Sequence, residues 1–586
     1  MKLTKNILLV LLAIWVVAWF GTLELRGLFI PDEGRYAEIP REMVATGDWV
    51  TPRVNNIKFF EKPPLQYWLT AMSLSVFGDD EWSARLPAAL LGFLAVLATG
   101  FTARVLWGKD GAVATAVVLA SSWAFYLCSQ YLTVDMSLTA FLTLALCSFL
   151  LAQRSSDNSV DRAGRLWMFI AWISCALAVL SKGLIGIVLP ALTLIFYSVI
   201  ARDKAIWRRL EIVRGSVLFL IIAAPWFVLV QHRNAEFFDL FFIREHFQRF
   251  ASNRSERYGP WWYYAPILLV GAMPWLPGII YQSCNRDVSV QPDTADSHFA
   301  NAASIRPTIQ AFRPDVFCIA WIAAIVVFFS LSHSKLPAYV MPVFPALALL
   351  AGRRDFFAEA GVLRWCSATS AVVGIVLMAA STQLFRLDRF AALGSEVAGG
   401  MPWIFSATAC LCVGGIVGWS CIQRGRRAAS VVAITLGSFV FWGCLFGFLH
   451  QIDAAFSSER MIEGLVKNER PFAPQAPFYS VGPIDYSVAF YLGRPMTSVN
   501  HRGEMDAGIL AEPEKLISTV EQFQSIWKAG AGRAYAVMNP DRFGEMTRAG
   551  LPMNVVARDR RLVVVMRPEV LTQGPIVAAV PTLPGR

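Results

Sequence analysis

Acidic and basic side chains stand together where the chain leaves its apolar segments. Pro31-Asp-Glu-Gly-Arg-Tyr36 follows the first apolar segment, and Phe60-Glu-Lys-Pro-Pro-Leu65 precedes an amphipathic stretch. Leu132-Thr-Val-Asp135 places another carboxylate at the start of a later apolar segment. Carboxylates transfer protons and fixed cations stabilise negative charge, so these residues are the first candidates for chemistry. A charge at membrane depth is costly, which makes a functional role the default hypothesis for Asp135.

A metal site is a further hypothesis. Glu61 and His246 could together bind a divalent cation, because carboxylate and imidazole are ordinary zinc ligands. No cofactor is required by the chemistry expected of the other candidates, so zinc at this pair is an additional possibility. The ten cysteines lie in or beside apolar segments and form neither a disulfide framework nor a CxxC metal knuckle.

The elements that must position these residues are membrane helices. Of the 586 residues, 56% are hydrophobic and only 16% are charged, whereas soluble proteins average roughly 25% charged residues. Windows of about 17 to 25 apolar residues are long enough to cross a bilayer. The sequence predicts about thirteen transmembrane helices, near residues 7–23, 83–104, 111–128, 135–152, 166–181, 184–201, 213–231, 262–281, 314–331, 337–351, 363–381, 402–422 and 429–449.

The net charge of +10 is interpreted as a topology signal and not as a nucleic-acid footprint. With a cytoplasmic N-terminus, every second loop is rich in Lys and Arg, as in residues 202–214. Lys182 and Lys335 are exceptions, because they stand in turns on the opposite, outer side. An odd number of spans also places the C-terminus outside.

Two long outer stretches, residues 24–82 and 232–261, separate the spans. Helical patterning at 39–49 and 65–77 predicts two interfacial helices, the second started by Pro63-Pro64. We expect charges next to these helices to line a cavity. Four other charged residues are interpreted as solvated rim charges: Arg41, Glu42, Arg53 and Lys58.

The composition becomes polar after residue 452, which predicts a membrane domain at 1–452 and a small external α/β domain at 453–586. Residues 477–481 and 533–537 have strand patterning, and 555–567 has that of a hairpin. Residues 512–529 are predicted as one amphipathic helix.

These motifs together resemble those of the polyprenyl-phosphate-dependent glycosyltransferases of the GT-C type, which include protein O-mannosyltransferases and oligosaccharyltransferases. The two runs that begin at Pro31 and Phe60 are most similar to those of the lipid A aminoarabinose transferases. Further matching segments are Leu132-Thr-Val-Asp135, Phe242-Ile-Arg-Glu-His-Phe-Gln-Arg-Phe250, Gly259-Pro-Trp-Trp-Tyr263 and Ser332-His-Ser-Lys-Leu-Pro-Ala-Tyr339. The resemblance covers residues 1 to about 450, and the external domain carries no matching motif.

The resemblance implies transfer of 4-amino-4-deoxy-L-arabinose from undecaprenyl phosphate to lipid A phosphate groups. The reaction would occur on the periplasmic face of a bacterial inner membrane. It would reduce the negative charge of the outer membrane and so give resistance to polymyxin and other cationic antimicrobial peptides. The implied partners are the donor lipid, lipid A and membrane lipids, with no nucleic acid, and the enzyme is expected to be a monomer.

The same resemblance implies roles for individual residues. Asp32, Asp135 and Glu61 are the expected catalytic carboxylates, with Asp32 orienting the cationic amino sugar or stabilising an oxocarbenium-like transition state. Cations near the leaving phosphate would stabilise its developing charge. The expected donor-phosphate residues are Lys62, Arg35, Arg249 (or Arg244), Lys182, Lys335 and Tyr339.

Alternatives remain at this point. Asp32 and Glu33 could instead cap the first interfacial helix, and Lys335 could extend to the interface. A related enzyme with another polyprenyl-phosphate sugar, or with protein hydroxyls as acceptors, has the same residue pattern. A transporter would favour charges near the bilayer midplane and inverted repeats, neither of which the sequence shows. A scaffolding membrane protein would tolerate replacement of Asp32 and Lys62.

Overall fold

The structure of the protein is a computed structural model. It describes residues 5–153, 162–248, 259–284, 312–353, 356–383, 394–468, 473, 475–501 and 503–568. Most of the first 450 residues form helices, and a mixed sheet follows them.

The helices before the sheet are mostly long and apolar. They are α1 Lys5–Phe20, α2 Asp32–Thr46, α3 Leu65–Phe77, α4 Glu81–Ser121, α5 Trp123–Ser129, α6 Val134–Ala152, α7 Arg162–Lys182, α8 Ile185–Ala201, α9 Ile212–Arg233, α10 Tyr264–Gly271, α11 Leu276–Cys284, α12 Pro314–Leu331, α13 Phe344–Gly352, α14 Ala360–Ser381, α15 Gly394–Gln423 and α16 Arg427–Gln451. A π-helix at Asp239–Gln248 and a 3₁₀ helix at Pro337–Val343 join this set.

Every one of the predicted windows overlaps helix in the structure. Two of them, 83–104 and 111–128, lie largely in the single 41-residue α4, which is kinked where Gly108 adopts φ 80°. Helices α10 and α11 are bent by 99° and together cover another window. Among the described residues, eight helices are long and apolar enough to cross a membrane, or nine with the bent pair. The protein is therefore a multi-pass membrane protein, and the count of thirteen spans stays a prediction.

The first long loop folds into α2, a short hairpin and α3. The hairpin pairs β1 Arg53–Val54 with β2 Ile57–Lys58 in antiparallel register. Helix α3 occupies the predicted residues and begins after Pro64, whose fixed φ suits a helix start. Helix α2 begins at Asp32, earlier than the predicted 39, so the acidic pair lies in its first turn.

The C-terminal part forms a six-stranded mixed sheet with short helices. Its elements are α17 Glu459–Asn468, β3 Phe478–Val481, α18 Tyr486–Leu492, β4 Thr497–Val499, α19 Asp506–Ala511, β5 Leu516–Ile517, α20 Val520–Ala529, β6 Tyr535–Met538, α21 Pro540–Arg548, β7 Asn554–Arg558 and β8 Val563–Met566. The strand order is β5-β4-β3-β6-β8-β7, with β3 to β6 mutually parallel and β7 and β8 forming an antiparallel hairpin.

The prediction of one helix over 512–529 was wrong. Residues Pro513–Lys515 form a 3₁₀ turn and Leu516–Ile517 pair with β4, so the helix is limited to α20. Thr519 starts α20, because its side chain accepts a hydrogen bond from the Gln522 amide. Apolar residues at helical spacing had masked this break, since a two-residue strand has almost no pattern of its own.

The sheet domain and the first loop share one hydrophobic cluster. Tyr36 and Tyr67 from the loop pack in it with Tyr486, Phe490 and, among others, Met505 from the C-terminal part. The C-terminal domain therefore lies directly on α2 and α3, which carry several of the candidate site residues.

Candidate active site

Helix α2 presents Asp32 and Arg35 on one face, since residues three apart in a helix are neighbours. One guanidinium nitrogen of Arg35 donates to Asp32 Oδ1 at 2.7 Å. The Arg35 side chain is buried, and its guanidinium lies 5.3 Å and 5.5 Å from the ring centres of Tyr36 and Phe59. The N-cap of α2 is Pro31, and no side-chain hydrogen bond caps the helix. Asp32 is thus an ion-pair partner and not a helix cap.

Further anionic groups surround Arg35. Glu504, from the C-terminal domain, forms an ion pair with it. Burial alone would lower the pKa of Arg35, but its neighbours, including Tyr36, Glu61 and Asp32, raise that pKa above the ordinary value. Arg35 therefore stays cationic although it is buried.

Glu61 and Lys62 stand just before α3. Lys62 Nζ lies 3.9 Å from the Glu61 carboxylate and donates to the Glu61 carbonyl at 2.9 Å. Both side chains are less than one fifth exposed. Because Glu61 acts on the pKa of Arg35, the two predicted motifs of the first loop meet in space.

Asp135, Lys182 and Tyr339 form a second charged cluster. Asp135 lies in the first turn of α6, where its amide donates to the Thr133 side chain at 3.4 Å. Lys182 ends α7 and forms an ion pair with Asp135, and both are nearly buried. The Lys182 ammonium also lies 4.4 Å from the Tyr339 ring centre, within cation–π range. Three predicted site residues are thus in contact.

Tyr36 connects the two clusters. Its pKa is raised first by burial and then by the charges of Asp32, Glu61 and Asp135, so carboxylates of both clusters lie around one phenol. Its ring stacks on that of Tyr67 with centres 5.9 Å apart. The Tyr67 hydroxyl is buried and has no hydrogen-bond partner among the described residues. Carboxylates of both clusters thus act on the same phenol, which makes the two clusters one candidate site.

Glu33 has a different task from Asp32. Its carboxylate accepts from Arg26 and Arg85 and from the Leu132 amide at 3.0 Å. Burial would raise the pKa of Glu33, but the two arginines lower it to about 2. This ion network ties α2 to α4 and to the turn before α6, so Glu33 is a structural residue.

Lys335 is held by backbone carbonyls. Its ammonium donates to the carbonyls of Phe329, Ser330 and Ser332 at 3.3, 2.8 and 2.7 Å. An ammonium has three protons, so these bonds use its full donor capacity. Its side chain is buried and packs near the Tyr264 ring, with Nζ 5.9 Å from the ring centre. The geometry gives Lys335 the task of closing the turn after α12.

The remaining predicted residues fall in the second long loop. Arg249 and the side chain of His246 lie outside the described residues, and Arg244 pairs with Asp239 at 3.0 Å. Among the described side chains, no group of three or more His, Cys, Asp or Glu could hold a metal ion. The Glu61 carboxylate instead faces Lys62, and the zinc hypothesis for Glu61 and His246 finds no support.

Two of the predicted rim charges are buried. The prediction was wrong for Arg41 and Glu42, which are 5% and 4% exposed. Arg41 donates to Glu38 and to the Gly493 carbonyl of the C-terminal domain at 2.7 Å. The C-terminal domain lies where solvent was expected around these two side chains. The sequence of the loop does not reveal this contact, because it depends on how a distant domain docks.

An apolar groove of about 530 Å³ lies between α7, α8, α9 and the π-helix. Its lining is almost entirely aliphatic and aromatic, with residues such as Trp172, Phe219 and Phe227. Val179 and Leu184 also line it and stand on either side of Lys182 in the chain. The groove therefore runs close to the Asp135–Lys182 pair.

Sequence reasoning missed four residues of this site. Tyr36 and Tyr67 lie inside the two motifs of the first loop, so the aromatic positions of these motifs were a usable signal. Tyr486 and Glu504 have no such signal, because they reach Arg35 only through the docking of the C-terminal domain.

Comparisons with known proteins agree with this architecture. A family model described as dolichyl-phosphate-mannose-protein mannosyltransferase matches residues 6–241. Another, described as aminoarabinose transferase C-terminal domain, matches residues 465–567. The C-terminal part, which carried no recognised motif in the sequence, thus has a family assignment of its own.

The individual relatives that match the chain share the same protein name. The chain is 32% identical over 354 residues to an undecaprenyl phosphate-alpha-4-amino-4-deoxy-L-arabinose arabinosyl transferase of Enterobacter sp. strain 638, which covers 59% of this chain and 58% of that protein. A protein of the same name from Pseudomonas aeruginosa strain UCBPP-PA14 is 32% identical over 333 residues, or 56% of this chain and 55% of the relative. The matched segment thus spans less than two thirds of these relatives.

A solved structure matches nearly the whole chain. The crystal structure of ArnT from Cupriavidus metallidurans bound to undecaprenyl phosphate is 33% identical to the chain and superposes with a TM-score of 0.85. The match covers 98% of this chain and 100% of that one. The apo structure of the same protein has 32% identity and a TM-score of 0.84.

Proposed function

The chain belongs to the ArnT family of aminoarabinose transferases, and we propose that it transfers 4-amino-4-deoxy-L-arabinose from undecaprenyl phosphate to a phosphate group of lipid A. The observation that carries the proposal is a set of buried or largely buried cations, Arg35, Lys62 and Lys182, each beside a carboxylate, with an apolar groove next to Lys182. Such a set suits a phosphate headgroup on a long isoprenoid chain.

The groove is the proposed seat of the donor's lipid tail. Its walls are apolar and its volume of about 530 Å³ accommodates several isoprene units of an extended chain. A tail lying there would bring its headgroup towards Lys182, which sits between two groove residues in sequence. A tail that enters from the bilayer leaves hydrocarbon and not water, so its affinity for the groove would come from close van der Waals packing.

The cations would stabilise the leaving phosphate. As the bond between sugar and phosphate breaks, negative charge grows on the phosphate, and fixed cations in a site of low polarity stabilise it. The Arg35 guanidinium retains a buried Nε without a hydrogen-bond partner among the described residues, which leaves a donor for an oxygen of the ligand. We include Lys62, Lys182 and Tyr339 in this set, and Arg249 on its motif alone.

The carboxylates would act on the sugar. Asp32 is about one third exposed, and it could orient the cationic amino group or stabilise positive charge on the ring. We assign Asp135 and Glu61 to the same task, because their charges, like that of Asp32, act on Tyr36. A lipid A phosphate is already ionised at neutral pH and attacks without a general base, so proton abstraction is not the central task of these residues.

The proposal includes a topology. Thirteen spans with a cytoplasmic N-terminus would put α2, α3 and the domain at 453–586 in the periplasm of a bacterial inner membrane, where the lipid A acceptor is accessible. The proposed enzyme is a monomer. Capping lipid A phosphates with an amino sugar would lower surface negative charge and so weaken the binding of polymyxin and other cationic peptides.

A second candidate is a transferase that uses another polyprenyl-phosphate sugar and a hydroxyl acceptor. The match of residues 6–241 to the mannosyltransferase family favours it. An alcohol nucleophile would need a base, and Asp32 is the residue that we propose for that task. The C-terminal family match, in contrast, favours aminoarabinose.

Mass spectrometry of lipid A tests the proposal. The chain is expressed in a strain that lacks its own aminoarabinose transferase but makes the donor, alongside Asp32→Asn and Lys62→Ala variants. We expect a pentosamine mass on lipid A with the unaltered chain and a large loss with both variants. Absence of that mass at normal protein levels would reject the assignment, and a hexose on a protein acceptor would support the second candidate.

A further inference from the structure

The C-terminal domain reaches the site through one edge of its sheet. Strands β3 and β4 are parallel, so their carboxyl ends lie at the same edge. Ligand contacts in open α/β sheets come from the loops at this edge. The loop after β3 leads to Tyr486, and the loop after β4 carries Glu504. Glu504 pairs with Arg35, and burial and the nearby Glu61 raise the pKa of Tyr486 to about 12, although Arg35 opposes this.

The C-terminal domain packs against the first loop through close contacts that involve the backbone. A Cβ atom added to Gly34 would lie 2.6 Å from the Ser487 amide nitrogen, so α2 and α18 approach without room for a side chain. The Met496 amide donates to Asn55 Oδ1 at 3.0 Å. A Cβ on Gly508 would lie 1.9 Å from the Lys58 carbonyl oxygen. The loop that carries Glu504 is therefore held in register with α2.

Arg35 does not depend on Glu504 for its position. Asp32 accepts from it within α2, and the rings of Tyr36 and Phe59 flank the guanidinium. The side chain of Glu504 is 34% exposed, whereas that of Arg35 is 4% exposed. Glu504 thus approaches Arg35, which is already oriented by Asp32 of the same helix, α2.

Three carboxylates already compensate the positive charge of Arg35 before any ligand is bound. Asp32, Glu61 and Glu504 are all close enough to act on this one guanidinium or to pair with it. A lipid phosphate that arrives at Arg35 meets these carboxylates, and like charges placed side by side oppose binding. Among the three, Glu504 is the one carried by a separate domain.

We propose that Glu504 is a placeholder anion, which occupies Arg35 when no donor is bound and is displaced by the donor phosphate. This inference rests on the proposed function and deepens it. Displacement requires a ligand with negative charge of its own, so Glu504 selects a phosphate headgroup over the neutral lipids that surround the site. A device that penalises the wrong ligand is a recognised route to specificity. Glu504 is a specificity residue that acts through Arg35.

Binding of undecaprenyl phosphate to the purified full chain in nanodiscs tests the inference, with uncharged undecaprenol as the comparison lipid. Glu504→Gln keeps the shape and removes the charge. We expect it to bind undecaprenyl phosphate about fivefold more tightly, in line with the loss of a partly exposed ion pair. It should also retain more undecaprenol than the unaltered chain, and in transfer assays the change should fall on the donor KM. The difference should shrink as salt rises.

Two further variants separate charge from structure. Glu504→Asp keeps the charge and should stay within about twofold of the unaltered chain. Glu514→Gln removes an exposed carboxylate elsewhere in the same domain and should leave binding unchanged. Weaker binding by Glu504→Gln would mean that Glu504 positions Arg35, and equal binding would mean that it has no role; either result overturns the proposal. If the unaltered chain fails to bind undecaprenyl phosphate, the proposed function itself fails.

Discussion

Lys182 and Asp135 form an ion pair between the last residue of α7 and the first turn of α6. Both side chains are nearly buried, and the aromatic ring of Tyr339 lies 4.4 Å from the ammonium. A cation suits the negative end of a helix and an anion the positive end, so the macrodipoles of the two helices stabilise this pair. The pair is both a structural clamp and a charged group beside the apolar groove.

Replacing Lys182 with Met should therefore affect both stability and activity. Loss of a phosphate-stabilising cation predicts a fall of about 100-fold in kcat/KM. The same change leaves Asp135 as a buried, unpaired charge and lowers the free energy of unfolding. The double variant Asp135→Asn with Lys182→Met should regain thermal stability without regaining transfer. Recovery of both in the double variant would show that the pair is only structural.

Asp32 and Glu33 are adjacent carboxylates with opposite expected phenotypes. Asp32→Asn should lower kcat by about 100-fold with a near-normal melting temperature, since Asp32 is partly exposed and faces the site. Glu33→Gln should cost about 3–5 kcal/mol of stability, because Arg26 and Arg85 lose their buried partner. Thermal unfolding and lipid A mass spectrometry on both variants distinguish the roles. A stable, inactive Glu33→Gln protein would contradict the assignment.

Substitutions of Lys335 and Lys62 should also have different effects, the first on stability and the second on donor binding. Lys335→Met leaves backbone carbonyls without their ammonium donor and should lower stability by about 1–3 kcal/mol. Lys62→Met should leave the melting temperature near normal and raise the donor KM. Melting curves and kinetics on each purified variant provide the measurement. Should Lys335→Met melt normally and lose donor binding, Lys335 would return to the phosphate site.

Filling the groove should weaken donor binding. Ala224 lines it, so Ala224→Phe places a ring where the lipid tail is proposed to lie. We expect the KM for undecaprenyl-linked donor to rise by about tenfold because the added ring excludes the tail, and a short-chain donor to be affected much less. Ile221→Phe is the matched control, since Ile221 is 65% exposed on the same helix and does not line the groove. Equal effects of the two changes would remove the groove from the donor path.

Glu42 should make stability depend on pH. Burial and the neighbouring charge of Glu38 raise its pKa from 4.5 to about 8. The folded state then binds more protons than the unfolded state between these values, so stability falls as pH rises from about 4.5 to about 8. Glu42→Gln keeps the acceptor for the Asn56 amide and should flatten this slope, with its largest gain near pH 8. A melting temperature of Glu42→Gln that falls as steeply with pH as that of the unaltered chain would contradict the assignment.

The local sequence determined the apolar helices, the start of α3 and the strands β3 and β6. Each of these follows from short-range causes: apolar length, the fixed φ of Pro64 and alternating β-branched or aromatic residues. The same local reasoning placed the motifs that carry Asp32, Lys62 and Asp135. It failed at 512–529, where pairing with β4 decided the structure of Leu516 and Ile517.

Other features depended on contacts between distant residues, which only the tertiary structure decides. Asp32 and Glu33 are neighbours in the chain, but only Glu33 forms ion pairs with Arg26 and Arg85. Both arginines lie outside the helix that carries Glu33. The sequence predicts the same role for Lys182 and Lys335, since both are cations in outer turns. In the structure Lys182 pairs with a carboxylate, whereas Lys335 donates to backbone carbonyls. Glu504 reaches Arg35 only because a whole domain folds back onto α2. Charge and hydropathy are properties of the sequence, whereas the partner of each charge is set by packing.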